Sequence, residues 1–262
     1  MKAKIVKFLS VNIILLSVLV LFQNCGPGFK ELSDKILSQS SLSTVTQSSV
    51  GVYRIMPLGD SISACCYRGY LFKELKTAGY PIISIGSGHD PYDGDNEAHG
   101  GYAVTFLNSP AGAGPMGPNG YYGDSRDLQT WFGPQADTAD VVMMQFGTNN
   151  CWGGCYIPGI LAGYDTVLKA IRAKNPRVTL LIAQILPMDQ TKYPGSDVTV
   201  LNKEIPLWAA RNTTPLSRIL VVDQFTGFDL AWTKDGVHPN ADQGSIWMSD
   251  HFLAVLKTIL VK

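Results

Sequence analysis

The stretch that decides the fold is "RIMPLGDSIS", residues 54–63. An apolar, strand-forming run stops at Gly59, and Asp60 and Ser61 follow at once. Bulky apolar residues suit a strand buried in a sheet, and a glycine ends such a run by freeing the turn. The turn would hold the Ser61 hydroxyl at the carboxyl edge of a sheet. A hydroxyl there is a weak nucleophile until a base takes its proton, so its meaning depends on what the rest of the chain brings to it.

From Val52 onward, short β-rich runs alternate with longer helical ones, the pattern of a mostly parallel sheet covered by helices in an α/β domain. The expected strands are "VYRIMPL" (52–58), "PIISIG" (81–86), "DVVMMQFG" (140–147), "VTLLIAQI" (178–185) and "RILVVD" (218–223). Helices are expected over 69–79, 157–176, 199–213 and about 242–261. In the second of these, Ile160, Tyr164, Val167, Leu168 and Ile171 recur at three- and four-residue spacing, which makes one face apolar.

Open α/β sheets bind ligands at the carboxyl ends of their strands, and the residues with chemistry fall there. "GTNN" (147–150) follows the third strand and carries Asn149. "DGVHPN" (235–240) precedes the last helix and sets Asp235 three residues before His238. On a turn, that carboxylate can accept from one ring nitrogen and leave the other to take the Ser61 proton. Attack by Ser61 would create an oxyanion needing donors: the Ser61 N–H, the Asn149 amide, and Gly101 in "EAHGGYAV" (97–104), which lets backbone approach a substrate closely.

These blocks, in this order, resemble those of the SGNH hydrolases, also called GDSL-type esterases. The longer runs "IMPLGDSIS", "EAHGGY", "LLIAQILP", "LNKEIPLW" and "DGVHPNADQG" look like carbohydrate esterase family three, whose members resemble acetyl xylan esterases. The likeness covers about residues 52–260. It implies a flavodoxin-like, three-layer α/β/α sandwich on a central parallel five-stranded sheet. It also implies Ser61 as nucleophile, Asp235 and His238 completing a triad, and Ser61, Gly101 and Asn149 forming the oxyanion hole. Ile62 stands where the motif name has leucine, and Asn150 where the third block usually has aspartate. The activity implied is removal of short acyl groups, acetyl foremost, from a carbohydrate, with no cofactor and no metal. The alternatives are a lipase or lysophospholipase using the same residues, and a catalytically silent carbohydrate-binding lipoprotein.

Other features are read more blandly. The segment 107–133 is rich in glycine and proline, and its Tyr121, Tyr122 and Trp131 are candidates for lining a sugar-binding cleft, with packing against the domain the stronger expectation. The acidic loop "HDPYDGDNEAH" (89–99) could hold calcium through Asp90, Asp93, Asp95 and Glu97, but it lacks EF-hand spacing, and a solvated loop is the expectation. His251 falls within the last helix as a structural residue. Cys65, Cys66, Cys151 and Cys155 form an even set of disulfide candidates, as exported proteins use. Cross-links between the two pairs are favoured over a vicinal bond, and one closing about 85 residues would contribute at most about 4 to 5 kcal/mol.

The chain has 262 residues, 45% of them hydrophobic, enough for one sizeable core. Its 21 basic and 21 acidic residues balance, leaving no long-range field for a polyanion and making nucleic acid an unexpected partner. At the N-terminus, Lys2, Lys4 and Lys7 precede the apolar run "FLSVNIILLSVLVLF", and "QNCG" follows. That is an export pattern, and residues 1–24 read as a signal peptide. A cysteine directly after it resembles the bacterial lipoprotein arrangement, with lipid attached to Cys25 and the protein held at a membrane of the cell envelope. Plain secretion and an uncleaved anchor are the alternatives. Residues 25–50, Ser/Thr-rich from Ser38, read as a tether, leaving 51–262 as the hydrolase domain.

Overall fold

Strands buried at every position organise the domain. Val141–Gln145 (β6) and Thr179–Ala183 (β7) are buried throughout, as the central strands of a parallel sheet covered on both faces must be. The computed structural model describes residues 51–65, 67–110, 116–117, 120–121, 123–134 and 136–262, without side chains at 116–117 and 120–121. The proposed signal segment, Cys25, the tether, Cys66, Tyr122 and the Tyr121 side chain lie outside what is described.

Tyr53–Gly59 (β1) lies between Ile82–Ser84 (β2) and β6; β7 and Ile219–Val222 (β8) follow, giving the order β2-β1-β6-β7-β8. Every pairing in this sheet is parallel. Counting these five strands alone, the order is second, first, third, fourth, fifth, the flavodoxin-like arrangement, whose switch point falls between the first and third. Here that is the crevice between the carboxyl ends of β1 and β6. A two-residue strand, Glu97–Ala98 (β3), pairs with the end of β1. A small antiparallel pair, Met116–Gly117 (β4) and Gly120–Tyr121 (β5), stands apart.

The helices are Ser61–Ala64 (α1), Tyr67–Thr77 (α2), Ser125–Phe132 (α3), Ile157–Lys174 (α4), Thr199–Asn212 (α5) and Gln243–Ile259 (α6). α2 packs against α6, while α4 packs against α3 and α5, so helices enclose the sheet as a three-layer α/β domain. α4 starts with Pro158 in its first turn, where the missing N–H costs nothing. It buries Ile160, Tyr164, Val167, Leu168 and Ile171, the face expected from their spacing.

Gly59 does more than end β1. A Cβ there would lie 2.2 Å from Ser63 Oγ and 2.3 Å from the Gln145 carbonyl. The absent side chain lets β6 and the first turn of α1 close on the end of β1.

Within the 107–133 segment, the part from Asp124 onward is helical rather than open loop. Asp124 caps α3 and shares a capping box with Asp127, and the helix turns Leu128, Trp131 and Phe132 inward. Trp131 is only 3% exposed, stacked on His99 with ring centroids 4.5 Å apart. It belongs to the core and cannot line a sugar cleft.

Candidate active site

Four stretches of chain meet at the carboxyl edge of β1 and β6. The first is the turn after β1. Asp60 is fully buried and caps α1, its Oδ1 accepting from the Ile62 N–H at 3.0 Å. This fixes the first helical residue, Ser61, at the strand end. Burial pushes the Asp60 carboxyl up to about 7, against the opposing pull of the Ile62 N–H and of Thr148. Its role is to order the turn.

The second is β3. Leu58 pairs with Glu97 and Gly59 with Ala98, and the next residue, His99, donates its N–H to the Gly59 carbonyl at 2.8 Å. That register delivers Gly100 and Gly101 beside the Ser61 turn: a Cβ on Gly100 would sit 3.9 Å from the Ser61 Cβ. Gly101 itself has φ 82, a conformation that glycine adopts at little cost.

The third is the turn after β6, where Asn149 opens a short 3₁₀ segment, Asn149–Cys151. One N–H of its amide donates to the Tyr102 carbonyl at 3.0 Å, tying it to the Gly101 loop. Asn150 accepts from the Val104 N–H at 2.9 Å and donates to the Thr105 hydroxyl at 2.9 Å. The residue that departs from the family pattern thus fastens this loop with both ends of its side chain.

The fourth is the turn before α6. Asp235 Oδ1 accepts from the N–H groups of Val237 and His238, at 2.9 and 2.7 Å. Its Oδ2 lies 2.8 Å from His238 Nδ1, and Ser61 Oγ lies 2.9 Å from His238 Nε2. An ionised carboxylate only accepts, so Nδ1 carries the proton and Nε2 is left to accept from the serine hydroxyl. Burial raises the Asp235 pKa, but the N–H of His238, its ring and the N–H of Val237 outweigh this and hold the carboxyl below its ordinary value. The side chains of His238 and Asp235 are 28% and 40% exposed, so the imidazole is reachable from solvent.

Ser61, His238, Asp235, Asn149 and Gly101 therefore occupy one edge of the sheet. The other sequence candidates are dispersed. Asp90 caps the N–H groups of Tyr92 and Asp93 and pairs with Arg68. Asp95 faces His89. Glu97 accepts from the Ser87 N–H and hydroxyl and pairs with His99 at 2.8 Å. Among the described residues no group of three or more histidine, cysteine or acidic side chains is placed to hold a metal. His251 packs tilted against Trp247, with ring centroids 4.2 Å apart, and its Nδ1 bonds to the Trp247 carbonyl.

The cysteines depart from expectation. Cys151 pairs with Cys155, four residues on. Cys65 is also disulfide-bonded, but the Cys151–Cys155 bond rules out bridges from these two residues to the Cys65–Cys66 pair. The 3₁₀ turn and the Gly153–Gly154 pair, both at positive φ, fold this loop back so that its ends meet. Sequence reading did not pair Glu97 with His99, which meet at 2.8 Å, although residues two apart on an extended chain share a face.

A parallel sheet in flavodoxin-like order, with a serine, an imidazole and a carboxylate in hydrogen-bonded series at its switch point, defines a serine-hydrolase type of architecture. The chain belongs to the GDSL-like lipase/acylhydrolase family, whose model matches residues 58–243, and it is a carboxylic ester hydrolase. It is similar to an acetyl esterase mutant solved with acetate ion, at 26% identity and TM-score 0.65, covering 79% of this chain and 97% of that one. A carbohydrate esterase family 3 protein from Talaromyces cellulolyticus is 25% identical with TM-score 0.64, again over 79% and 97%. A multidomain esterase of Ruminococcus flavefaciens is 26% identical over 232 residues, 77% of this chain. The match spans only 28% of that relative's length.

Proposed function

We propose that this protein is an exported serine esterase that removes short acyl groups, acetyl foremost, from a carbohydrate. The observation that carries the mechanism is the Ser61–His238–Asp235 series, with contacts of 2.9 and 2.8 Å. His238 Nε2 takes the Ser61 proton as Oγ attacks the ester carbonyl; Asp235 holds the imidazole in the required tautomer and stabilises its cation. The tetrahedral oxyanion is received by the Ser61 and Gly101 N–H groups and by the second N–H of the Asn149 amide. His238 then protonates the leaving alcohol. A water molecule, deprotonated by His238, attacks the acyl-enzyme and releases the acid.

The carbohydrate and acetyl assignments rest on the acetyl esterase and the family 3 carbohydrate esterase to which the chain is similar. Export rests on the sequence of residues 1–24, and attachment to the envelope on Cys25.

The test is hydrolysis of p-nitrophenyl acetate and octanoate by the protein and by Ser61→Ala, followed by acetate release from acetylated xylan. Ser61-dependent cleavage favouring acetate, with acetate freed from the polymer, is expected. Preference for octanoate would make it a lipase, and turnover that survives Ser61→Ala would remove the triad.

A further inference from the structure

Of the five tryptophans, Trp152 alone is exposed among the described residues, at 51%. It stands on the Cys151–Cys155 loop, three residues beyond Asn149. Its ring leans on Tyr193, with centroids 4.8 Å apart and planes inclined at 36°. The Tyr193 hydroxyl in turn donates to the Asp235 carbonyl at 3.3 Å. The two turns are joined again where the Gly153 N–H donates to Ser196 Oγ at 3.2 Å. The aromatic pair is thus tied at one end to the loop bearing the Asn149 amide and at the other to the backbone of the Asp235–His238 turn.

At 51% exposure the Trp152 ring remains accessible while it rests on Tyr193. A Cβ added at Gly153 or Gly154 would meet nothing within 4 Å. Both glycines have positive φ, 76 and 135, which glycine adopts at little cost, and neither adds a side chain beside the ring, while the disulfide closes the loop. Asp189 and Lys192, 3.8 Å apart, stand four residues and one residue before Tyr193 on the same turn.

From this arrangement we infer that Trp152 and Tyr193 form a stacking platform for a pyranose ring of the glycan that carries the scissile ester, with Asp189 and Lys192 bonding its hydroxyls. An indole face is electron-rich and attracts the polarised C–H groups on the flat side of a sugar, and rigid aromatic side chains provide this contact at small entropy cost. An acyl chain would instead call for an enclosed apolar channel. The platform rests on the carbohydrate esterase reading and locates its sugar contacts on the 151–155 loop and the 189–196 turn, where the buried Trp131 cannot serve.

Two measurements test it. Trp152→Ala and Trp152→Phe are assayed on acetylated xylo-oligosaccharides and on p-nitrophenyl acetate. Trp152→Ala should lower kcat/KM on the oligosaccharide about tenfold, roughly fivefold more than on the small ester, through KM; Trp152→Phe should restore part of it. Equal loss on both substrates, or loss on neither, overturns the platform. Separately, Ser61→Ala is titrated with xylotetraose, cellotetraose and chitotetraose while tryptophan fluorescence is followed. A saturable change with one of them, absent once Trp152 is also replaced by phenylalanine, supports the platform; no change with any of the three overturns it. If ester cleavage proves independent of Ser61, the esterase mechanism falls and the titration alone judges the platform.

Discussion

Asp235→Asn should lower kcat about ten-thousandfold while leaving the fold intact. An amide offers an N–H to His238 Nδ1, favouring the tautomer that protonates Nε2 and blocks the Ser61 proton transfer. Asn149→Ala should cost about 10²- to 10³-fold in kcat, the usual loss for one oxyanion donor, and it also removes the donor now held by the Tyr102 carbonyl. Single-turnover release of p-nitrophenol would measure both. Asp60 acts through stability. Its carboxyl is raised from 3.8 to about 7 in the folded protein, so between those values the native state holds the extra proton and stability falls as pH rises. Asp60→Asn keeps an oxygen to cap Ile62 and removes the titration. The urea midpoint of the variant relative to wild type should therefore climb across that window, and parallel curves would show that Asp60 ionises normally. Asp235 works in the opposite sense. Its lowered pKa adds stability above the ordinary carboxylate value, lost as the solution is acidified through the folded value.

At the level of elements, α4 packs against the segment that follows Gly101. A Cβ on Gly163 would lie 2.8 Å from the Val104 carbonyl and 2.9 Å from its Cγ1, where the chain runs on from Gly101. Gly163→Ala should destabilise the protein by about 1 to 3 kcal/mol through overpacking, read from chemical denaturation, and should slow ester cleavage as well. The Cys151–Cys155 bond closes so short a loop that its removal should cost only about 2 kcal/mol or less by chain entropy. A double Cys→Ser variant should accordingly lose more in glycan turnover than in melting temperature. The long strands were legible because their β-rich apolar runs are buried on both faces, and the apolar face of α4 because its spacing is helical. α3 was not, because the glycines and prolines before it outweighed its Asp124–Asp127 cap in a plain reading of composition. β3 is too short for any periodicity, and it is an invisible link in the sequence: only its pairing with β1 brings Gly101 to Ser61. The five residues of the proposed triad and oxyanion hole were nonetheless identifiable, since each sits in a short motif at a strand or helix boundary. The cysteine pairing was not, because spacing does not reveal which loops fold back on themselves.

For the molecule as a whole, near-balanced charge predicts an esterase whose rate on neutral esters changes little with salt, measurable between low and physiological ionic strength. The N-terminal pattern makes a separate prediction: cells supplied with labelled palmitate should mark the protein, and Cys25→Ser should abolish the label and release the protein from the membrane fraction. A labelled Cys25→Ser variant would overturn lipidation there.

The proposed nucleophile and its base are separated by 177 residues, and the Val261 N–H reaches back 208 residues to the Tyr53 hydroxyl, 2.9 Å away. A ribosome therefore delivers the serine long before the histidine proposed to activate it, and the slow, non-local closure of the sheet comes between. On the proposed mechanism the nascent chain passes through most of its synthesis as an unarmed polypeptide, because the imidazole at residue 238 is made near the end.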